Sequence, residues 1–312
     1  MKNLFCCLFL IFVFALSSCS EYGEEVWINA DGSGRYEMTQ DFSDMLPLIE
    51  MGLASAQAKA EEEEENGTES EGMKMDKILS LFESGKVDTL ISIENLVKQS
   101  YEKDGKTYNK QAFKADFFQN MNEEEDFKGT PQEKEKIWTF VSEVLKISTR
   151  IQYDNEYASL KNTMYQSFDN PKDMLFGNLP DLIEIVSKYA DEGDNKLNDP
   201  KAKEAMEKMK DSFASYEITK NTLKVRRKAM EMDSEDPESA QQMEMMKGMM
   251  GNSTYTMKIH VPGKVKKVSQ DGAKFDGSTV TWTMPALDMY DTTKDLNLDI
   301  KFKPKKGMIY KY

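Results

Sequence analysis

The sequence predicts an α+β fold: a duplicated strand-strand-helix-helix-strand unit followed by an antiparallel β-rich C-terminal region. Three observations carry this reading. Segments of strict apolar-polar alternation, the period of a half-buried strand, stand beside segments with a helical apolar stripe. The same order of elements occurs twice along the chain. From Ser253 onward, short alternating runs are separated by regular turn signals.

The first unit occupies residues 19–93. Glu24–Ala30 alternates, with Val26 and Ile28 on one face and Trp27 on the other. Asp31-Gly32-Ser33-Gly34 supplies turn residues that tolerate positive φ, and Arg35–Gln40 reads as the returning strand. The period then changes, with Met45, Leu48, Ile49, Gly52, Leu53 and Ala56 on one helical face. Residues 61–72, EEEEENGTESEG, have no apolar side chain and read as a solvated acidic linker. Met75, Ile78, Leu79 and Phe82 restore a helical stripe, Gly85 stops it, and Val87–Ile93 reads as a strand.

The second unit, residues 146–228, repeats the order. Lys146–Tyr153 alternates, Asp154-Asn155 turns, and Tyr157–Gln166 returns. Leu179, Leu182, Ile183 and Val186 mark a helix, Ala190–Asn198 an acidic stretch, and Asp199-Pro200 caps another helix. Residues 216–227 offer two short strands. Sequence echoes accompany the order: YEMTQDFSDM (36–45) beside TMYQSFDNPKDM (163–174), and MDKILSLFES (75–84) against MEKMKDSFAS (206–215). Two amphipathic helices rich in Met and Lys also produce such matches by convergence, so the order of elements is the stronger sign.

Residues 94–145 connect the units by helices. Phe113, Phe117 and Met121 mark a short one, and Ile137, Phe140, Val141, Val144 and Leu145 a longer one. Thr130-Pro131-Gln132-Glu133 gives the longer helix a capping-box start. A Met-rich helix spans 229–252, and the β region 253–312 closes the chain. In that region Tyr255, Met257, Ile259 and Val261 alternate, Pro262-Gly263 and Asp276-Gly277 turn, and Thr279–Met284 and Leu296–Phe302 read as strands.

At the N-terminus, residues 1–18 read as a signal peptide. Lys2 supplies a positive charge, residues 4–16 are almost wholly apolar, and Leu16-Ser17-Ser18-Cys19 follows. Those 13 apolar residues make about 20 Å of helix, too short for a hydrocarbon core of about 30 Å. Leu16-Ser17-Ser18-Cys19 resembles the lipobox of bacterial lipoproteins, which implies cleavage before Cys19 and lipidation of that cysteine. Cys6 and Cys7 would leave with the signal, so the mature chain would have no cysteine pair for a disulfide.

Removing residues 1–18 takes away Lys2 and no acidic residue, moving the formal net charge from −14 to −15. Such a surface repels nucleic acid and anionic lipid and favours solubility. The 39% apolar content sits below the usual 45–50%, a figure that counts glycine, and 17 glycines narrow the gap. The chain reads as globular with acidic loops.

EEVWINADGSGRYEM near the mature start and VPGKVKKVSQDGAKFDGSTVTWTMP near the end together resemble LppM-type bacterial lipoproteins and related envelope lipoproteins. Those chains pair a V-x-h-x-x-D-G-S-G hairpin with a P-G-x-V…G…V-T-W tail. The match covers about 70 residues, leaves the helical middle untouched and rests mostly on turn chemistry. It implies an envelope lipoprotein in contact with lipid and supplies no catalytic residue.

Chemistry for catalysis is sparse. His260, the only histidine, falls in an alternating strand and reads as a residue of the surface or a sheet edge. No G-x-S-x-G elbow is present, and neither histidine nor cysteine suffices for a zinc site. Nothing singles out two of the 55 acids as a glycosidase-like pair. Asp191-Glu192-Gly193-Asp194-Asn195 departs from calcium-loop spacing. Met243, Met246 and Met250 share one helical face, the pattern of adaptable core filler, although clustered thioethers also suit Cu(I).

The expectation is therefore a non-enzymatic, lipid-anchored cell-envelope protein, at the outer membrane, acting as a binding or structural module. Its membrane contact is through lipid on Cys19, with no cofactor, no metal and no nucleic acid. Two alternatives stand beside it: a lipid- or glycolipid-handling envelope protein, and a carboxylate-based hydrolase.

Overall fold

The computed structural model describes residues 21–43, 46, 47, 85–124, 129–174, 182, 185, 214–229, 251 and 253–310. Its fold is α+β. The acidic linker 61–72, the helices expected around 75–84 and 199–213, the acidic stretch 190–198, nearly all of the Met-rich segment 229–252 and, apart from Leu46 and Pro47, the helix expected around 45–56 lie outside the described residues.

β1 (Glu21–Ile28) and β2 (Gly34–Asp41) form an antiparallel hairpin in register from Glu21↔Asp41 to Ile28↔Gly34. β1 thus opens three residues before the alternation around Val26 indicates. The two glycines of the turn do different work. Gly32 sits at φ 90°, a left-handed conformation that side chains other than glycine resist. Gly34 is needed for space: a Cβ there would lie 2.0 Å from the Trp27 carbonyl oxygen and 2.4 Å from the Phe168 ring. Asp31 Oδ1 accepts the Ser33 amide at 3.0 Å, closing the turn between them.

β3 (Lys86–Ser92) ends where α1 (Ile93–Lys103) begins, with Ser92 Oγ accepting the Asn95 amide. Ile93, expected at the end of the strand, is instead a buried residue of the helix's first turn. α2 (Lys110–Glu124) and α3 (Pro131–Val144) follow. α3 carries the expected capping box. Glu133 donates its amide to Thr130 Oγ1 at 3.3 Å, while the Thr130 amide donates to Glu133 Oε2 at 2.8 Å.

The remaining strands are β4 (Ile147–Asp154), β5 (Ser159–Phe168), β6 (Ser215–Ile218), β7 (Thr222–Arg226) and β8 (Thr254–His260). β9 (Gly263–Val268), β10 (Lys274–Asp276), β11 (Thr279–Pro285) and β12 (Leu298–Pro304) complete the chain. They build an eight-stranded sheet, β10-β11-β8-β1-β2-β5-β4-β3, and a four-stranded sheet, β6-β7-β12-β9.

The C-terminal region is strand-rich as expected, and its strands pair antiparallel with one another, β8 with β11, β11 with β10 and β12 with β9. β8 also lies parallel to β1, from Glu21↔Thr254 to Trp27↔His260. The expected duplicated unit does not recur as a whole. The β1-β2 and β4-β5 hairpins do take matching places, with β2 against β5. β3 then extends the sheet antiparallel beside β4. By repetition β6 would stand beside β1, but β8 fills that place and β6 pairs with β7 in the smaller sheet. Burial accounts for the exchange. β8 turns Tyr255, Met257 and Ile259 inward, a longer apolar face than the four-residue β6 offers.

The inner face of the large sheet is the core. Val26, Ile28, Tyr36, Met257, Ile259 and Val280 are buried in one cluster with Leu223, Val225, Leu298 and Ile300 of the small sheet. Each such side chain contributes about 1.5–3 kcal/mol relative to exposure. α1 packs over β3 and β4, and Phe113 and Val144 bring the other helices into the same cluster. The tail closes one end of the sheet: the Ala30 amide donates to the Met308 carbonyl, and the Tyr310 amide to Asn29 Oδ1 at 2.8 Å.

Candidate functional site

Cys19, the expected lipidation residue, lies outside the described residues. The first described residue, Glu21, opens β1, so in sequence Ser20 alone stands between Cys19 and the large sheet.

The pleat of β1 sends Tyr22, Glu24, Val26 and Ile28 inward and Glu25 and Trp27 outward, and each direction collects polar groups. Inward, Glu24 meets Arg227, which directly follows β7 in the small sheet. Arg227 Nη2 donates to both Glu24 oxygens, at 2.7 and 2.9 Å, and Nη1 donates to Tyr255 Oη at 2.9 Å. Tyr22 Oη donates to Glu24 Oε1 at 3.0 Å, and Tyr216 Oη approaches Glu24 Oε2 at 3.5 Å. The side chains of Arg227 and Glu24 are only 5% and 1% exposed. The cluster therefore ties β1 and β8 of one sheet to β6 and the end of β7 of the other, inside the core.

Burial on its own would favour the neutral form of Arg227, but the Glu24 charge and the surrounding tyrosine hydroxyls outweigh it and hold the guanidinium charged. Burial first, with Glu24 adding to it, pushes the Tyr22, Tyr36 and Tyr216 hydroxyls up. Burial does the same for Tyr255 against the opposing pull of Arg227. Tyr36 Oη and Arg227 Nε have no hydrogen-bond partner among the described residues. The cluster is a structural clamp rather than an open site, since both charges are occupied by each other.

Outward, Glu25 Oε1 and His260 Nε2 share a hydrogen bond of 2.7 Å, and His260 Nδ1 and Thr279 Oγ1 share one of 2.9 Å. The three belong to adjacent strands β1, β8 and β11, and Thr279 is directly opposite His260 in the register. Trp27 stacks on His260 with centroids 5.1 Å apart and planes within 3°, and Tyr310 meets the imidazole edge-on. The hydrogen bond from His260, opposed by partial burial and helped by Lys258, holds the Glu25 carboxyl below its ordinary range. With Nε2 engaged by that carboxylate, Nδ1 is the ring atom that meets the Thr279 hydroxyl.

The outer face continues across the sheet. Arg35, opposite Trp27, pairs with Glu37 and lies over the Tyr165 ring at 4.7 Å. Farther on, Arg150 makes a two-pronged pair with Asp88, both contacts 2.7 Å. The outer face is thus a belt of charged and aromatic side chains joined strand to strand. Its most concentrated chemistry is Glu25-His260-Thr279, a carboxylate, an imidazole and a hydroxyl in line.

His260 was expected at the surface or at a sheet edge. The structure places it on the outer face at the end of β8, which lies between β1 and β11 and is no edge strand. Asp191-Glu192-Gly193-Asp194-Asn195 and Met243, Met246 and Met250 lie outside the described residues. Among the described residues no group of three or more His, Cys, Asp or Glu side chains is placed to hold a metal ion, and no helix is long and apolar enough to cross a membrane. Sequence reasoning missed Glu24, Glu25, Arg227 and Thr279. A signal existed for one of them: Glu24 has the same parity as Val26 and Ile28, so the alternation already assigns it to the buried face.

No protein family matches this sequence, and no curated protein matches it. Among solved structures, the folded domain of the Mycobacterium tuberculosis LppM protein, determined by NMR, is similar at 11% identity. The alignment covers 93% of this chain and 94% of that one, with a TM-score of 0.31. At that score the likeness establishes neither a shared fold nor a shared role.

Proposed function

We propose that this chain is a lipid-anchored cell-envelope protein, held at the outer membrane by lipid on Cys19, that works as a non-enzymatic binding or structural module. The observation that carries the reading is the arrangement at the N-terminus. A charged start, a short apolar run and Leu16-Ser17-Ser18-Cys19 lead into a strand that opens at Glu21. A secretion signal that ends within two residues of the folded sheet leaves no linker, so an anchor on Cys19 would hold the fold directly against its bilayer. The interior charges support a structural role for the core, since Glu24 and Arg227 are committed to each other.

The test is incorporation of labelled fatty acid into the full chain and its Cys19→Ser variant. The expected result is label in the first and none in the second. Equal labelling of both removes the anchor and this reading with it.

A second reading, hydrolysis, has one observation in its favour: the distances along Thr279-His260-Glu25 suit a hydroxyl activated by an imidazole that a carboxylate orients. On that reading the wild-type chain hydrolyses simple esters and His260→Ala does not. On the binding reading neither does.

A further inference from the structure

The large sheet has two ends, and the strand registers show which one lies nearest Cys19. Glu21 is opposite Asp41 on β2, and Asp41 is opposite Lys161 on β5. Beyond Lys161, β5 runs on to Ser159, which pairs with Asp154, and the turn 155–158 lies past both. The β4-β5 turn therefore projects beyond the Glu21 row by more than two residues, or about 7 Å at about 3.4 Å per residue. Cys19 precedes Glu21 by two residues, a reach of at most about 7 Å. Only β2 stands between β1 and β5, so the lateral offset is two strand spacings, about 10 Å. The β4-β5 turn thus projects at the end of the sheet where β1 begins, the end at which a lipid on Cys19 would enter its bilayer.

At the tip of that turn is Tyr157, 73% exposed and the most exposed large hydrophobic residue among those described. The turn is built rather than slack. The Asn155 amide donates to the Gly85 carbonyl at 2.9 Å, and the Glu156 amide to Asp154 Oδ1 at 3.1 Å. Ala158 holds φ 44°, a left-handed conformation that costs an alanine about 1 kcal/mol or more. That strain, at a position where glycine would relieve it, fixes the course of the chain immediately after Tyr157. A tyrosine, apolar in its ring and polar at its tip, suits the headgroup layer of a bilayer. Among the described residues at this end charge is mixed: Lys86 with Asp154 and Lys161 with Asp41 are paired, and Glu156 adds negative charge. Mixed charge with an acidic excess fits zwitterionic headgroups and disfavours anionic ones.

We infer that this end of the sheet is a membrane-contact surface, with Tyr157 entering the headgroup layer of a zwitterionic bilayer beside the lipid on Cys19. The inference rests on the anchor reading and adds an orientation to it: the β1-β2 turn and the Glu25-His260-Thr279 group face away from the bilayer.

The test uses a thiol-reactive fluorophore. In the mature lipoprotein Cys19 is acylated, so Tyr157→Cys supplies the single free thiol, and Ala30→Cys supplies one at the exposed opposite end. Both full-length lipoproteins are reconstituted into phosphatidylethanolamine–phosphatidylcholine vesicles containing a lipid quencher at headgroup depth. The expected result is several-fold stronger quenching at 157 than at 30. Equally weak quenching at both positions, in protein that floats with the vesicles, overturns the orientation and leaves the anchor standing. Shielding of the 157 label from aqueous quencher in detergent-free protein without vesicles overturns it as well, because a second copy would then be the cover. Failure of the wild-type chain to float or to take up fatty acid defeats the anchor reading first.

Discussion

Glu24 and Glu25 are neighbours on one strand, and the pleat gives them opposite circumstances. Glu24 enters the core, where it must be met by an opposite charge, and Arg227 meets it from the other sheet with two hydrogen bonds. Glu25 faces outward and keeps a half-exposed partnership with His260 and Lys258. Arg226 and Arg227 repeat the lesson, since Arg226 pairs with Asp299 at the surface while Arg227 goes inside. The same residue type at adjacent positions thus serves in one case as a clamp between sheets and in the other as part of a surface belt. Removing one partner inside leaves a buried, uncompensated charge, and removing one outside leaves a charge that water can reach.

The largest effect expected from this contrast is at Arg227. Arg227→Ala should lower stability to denaturant by about 3–5 kcal/mol, because Glu24 is left buried and alone. Replacing both partners, Glu24→Leu with Arg227→Met, should recover most of that loss, since a buried pair and an apolar pair of similar volume are often close in stability. A loss below about 1 kcal/mol in the single variant would erase the distinction between the two faces.

Alkaline titration tests the same interior without mutation. Tyr22, Tyr36, Tyr216 and Tyr255 all have hydroxyls pushed above their ordinary value of 10.0, chiefly by burial. A raised folded value means that the folded state holds these protons more tightly than the unfolded one. The stability they confer is complete below about pH 10 and is lost as pH rises further. Denaturation midpoints should fall steeply above pH 10 and stay level just below it. A level midpoint through pH 12 would contradict burial of these hydroxyls.

A smaller loss, about 2–3 kcal/mol, is expected for Gly34→Ala, where the added carbon has to displace the Trp27 backbone or the Phe168 ring. Gly32→Ala, with open space around it and only its left-handed conformation at stake, should cost about 1 kcal/mol. Thermal or urea unfolding of the pair separates the steric role from the torsional one.

The smallest effect is at Glu25. Its folded pKa is lowered, so the stability it contributes is present above about pH 4.5 and is lost as pH falls through the folded value. Glu25→Gln should cost less than about 1 kcal/mol at neutral pH and make the acid limb of the stability curve shallower. A cost as large as that of Arg227→Ala would mean that the outer belt also holds the fold together.

Much of this architecture was legible in local pattern. The alternation of Tyr255, Met257 and Ile259, the two hairpins and the Thr130-Glu133 capping box depend on residues a few positions apart, and the structure carries them all. What local pattern does not encode is the partner of a strand. The parallel pairing of β8 with β1 joins residues more than 200 positions apart, and it displaced β6 from the place that a repeated unit would have given it. The candidate sites show the same division. The parity of β1 puts Glu24 inside and Glu25 outside, but nothing near either one in sequence names Arg227 or His260 as its partner. Ile93 shows a boundary decided by capping: with Ser92 able to close a helix, a strand-forming residue became the helix's first.

The proposal that this fold is held to a bilayer at the start of β1 is tested most directly at the N-terminus itself. Intact mass spectrometry of the protein extracted from membranes should show a chain that begins at residue 19 and carries the added mass of a lipidated cysteine. A chain that still begins at Met1, or one cut elsewhere with Cys19 unmodified, would contradict it.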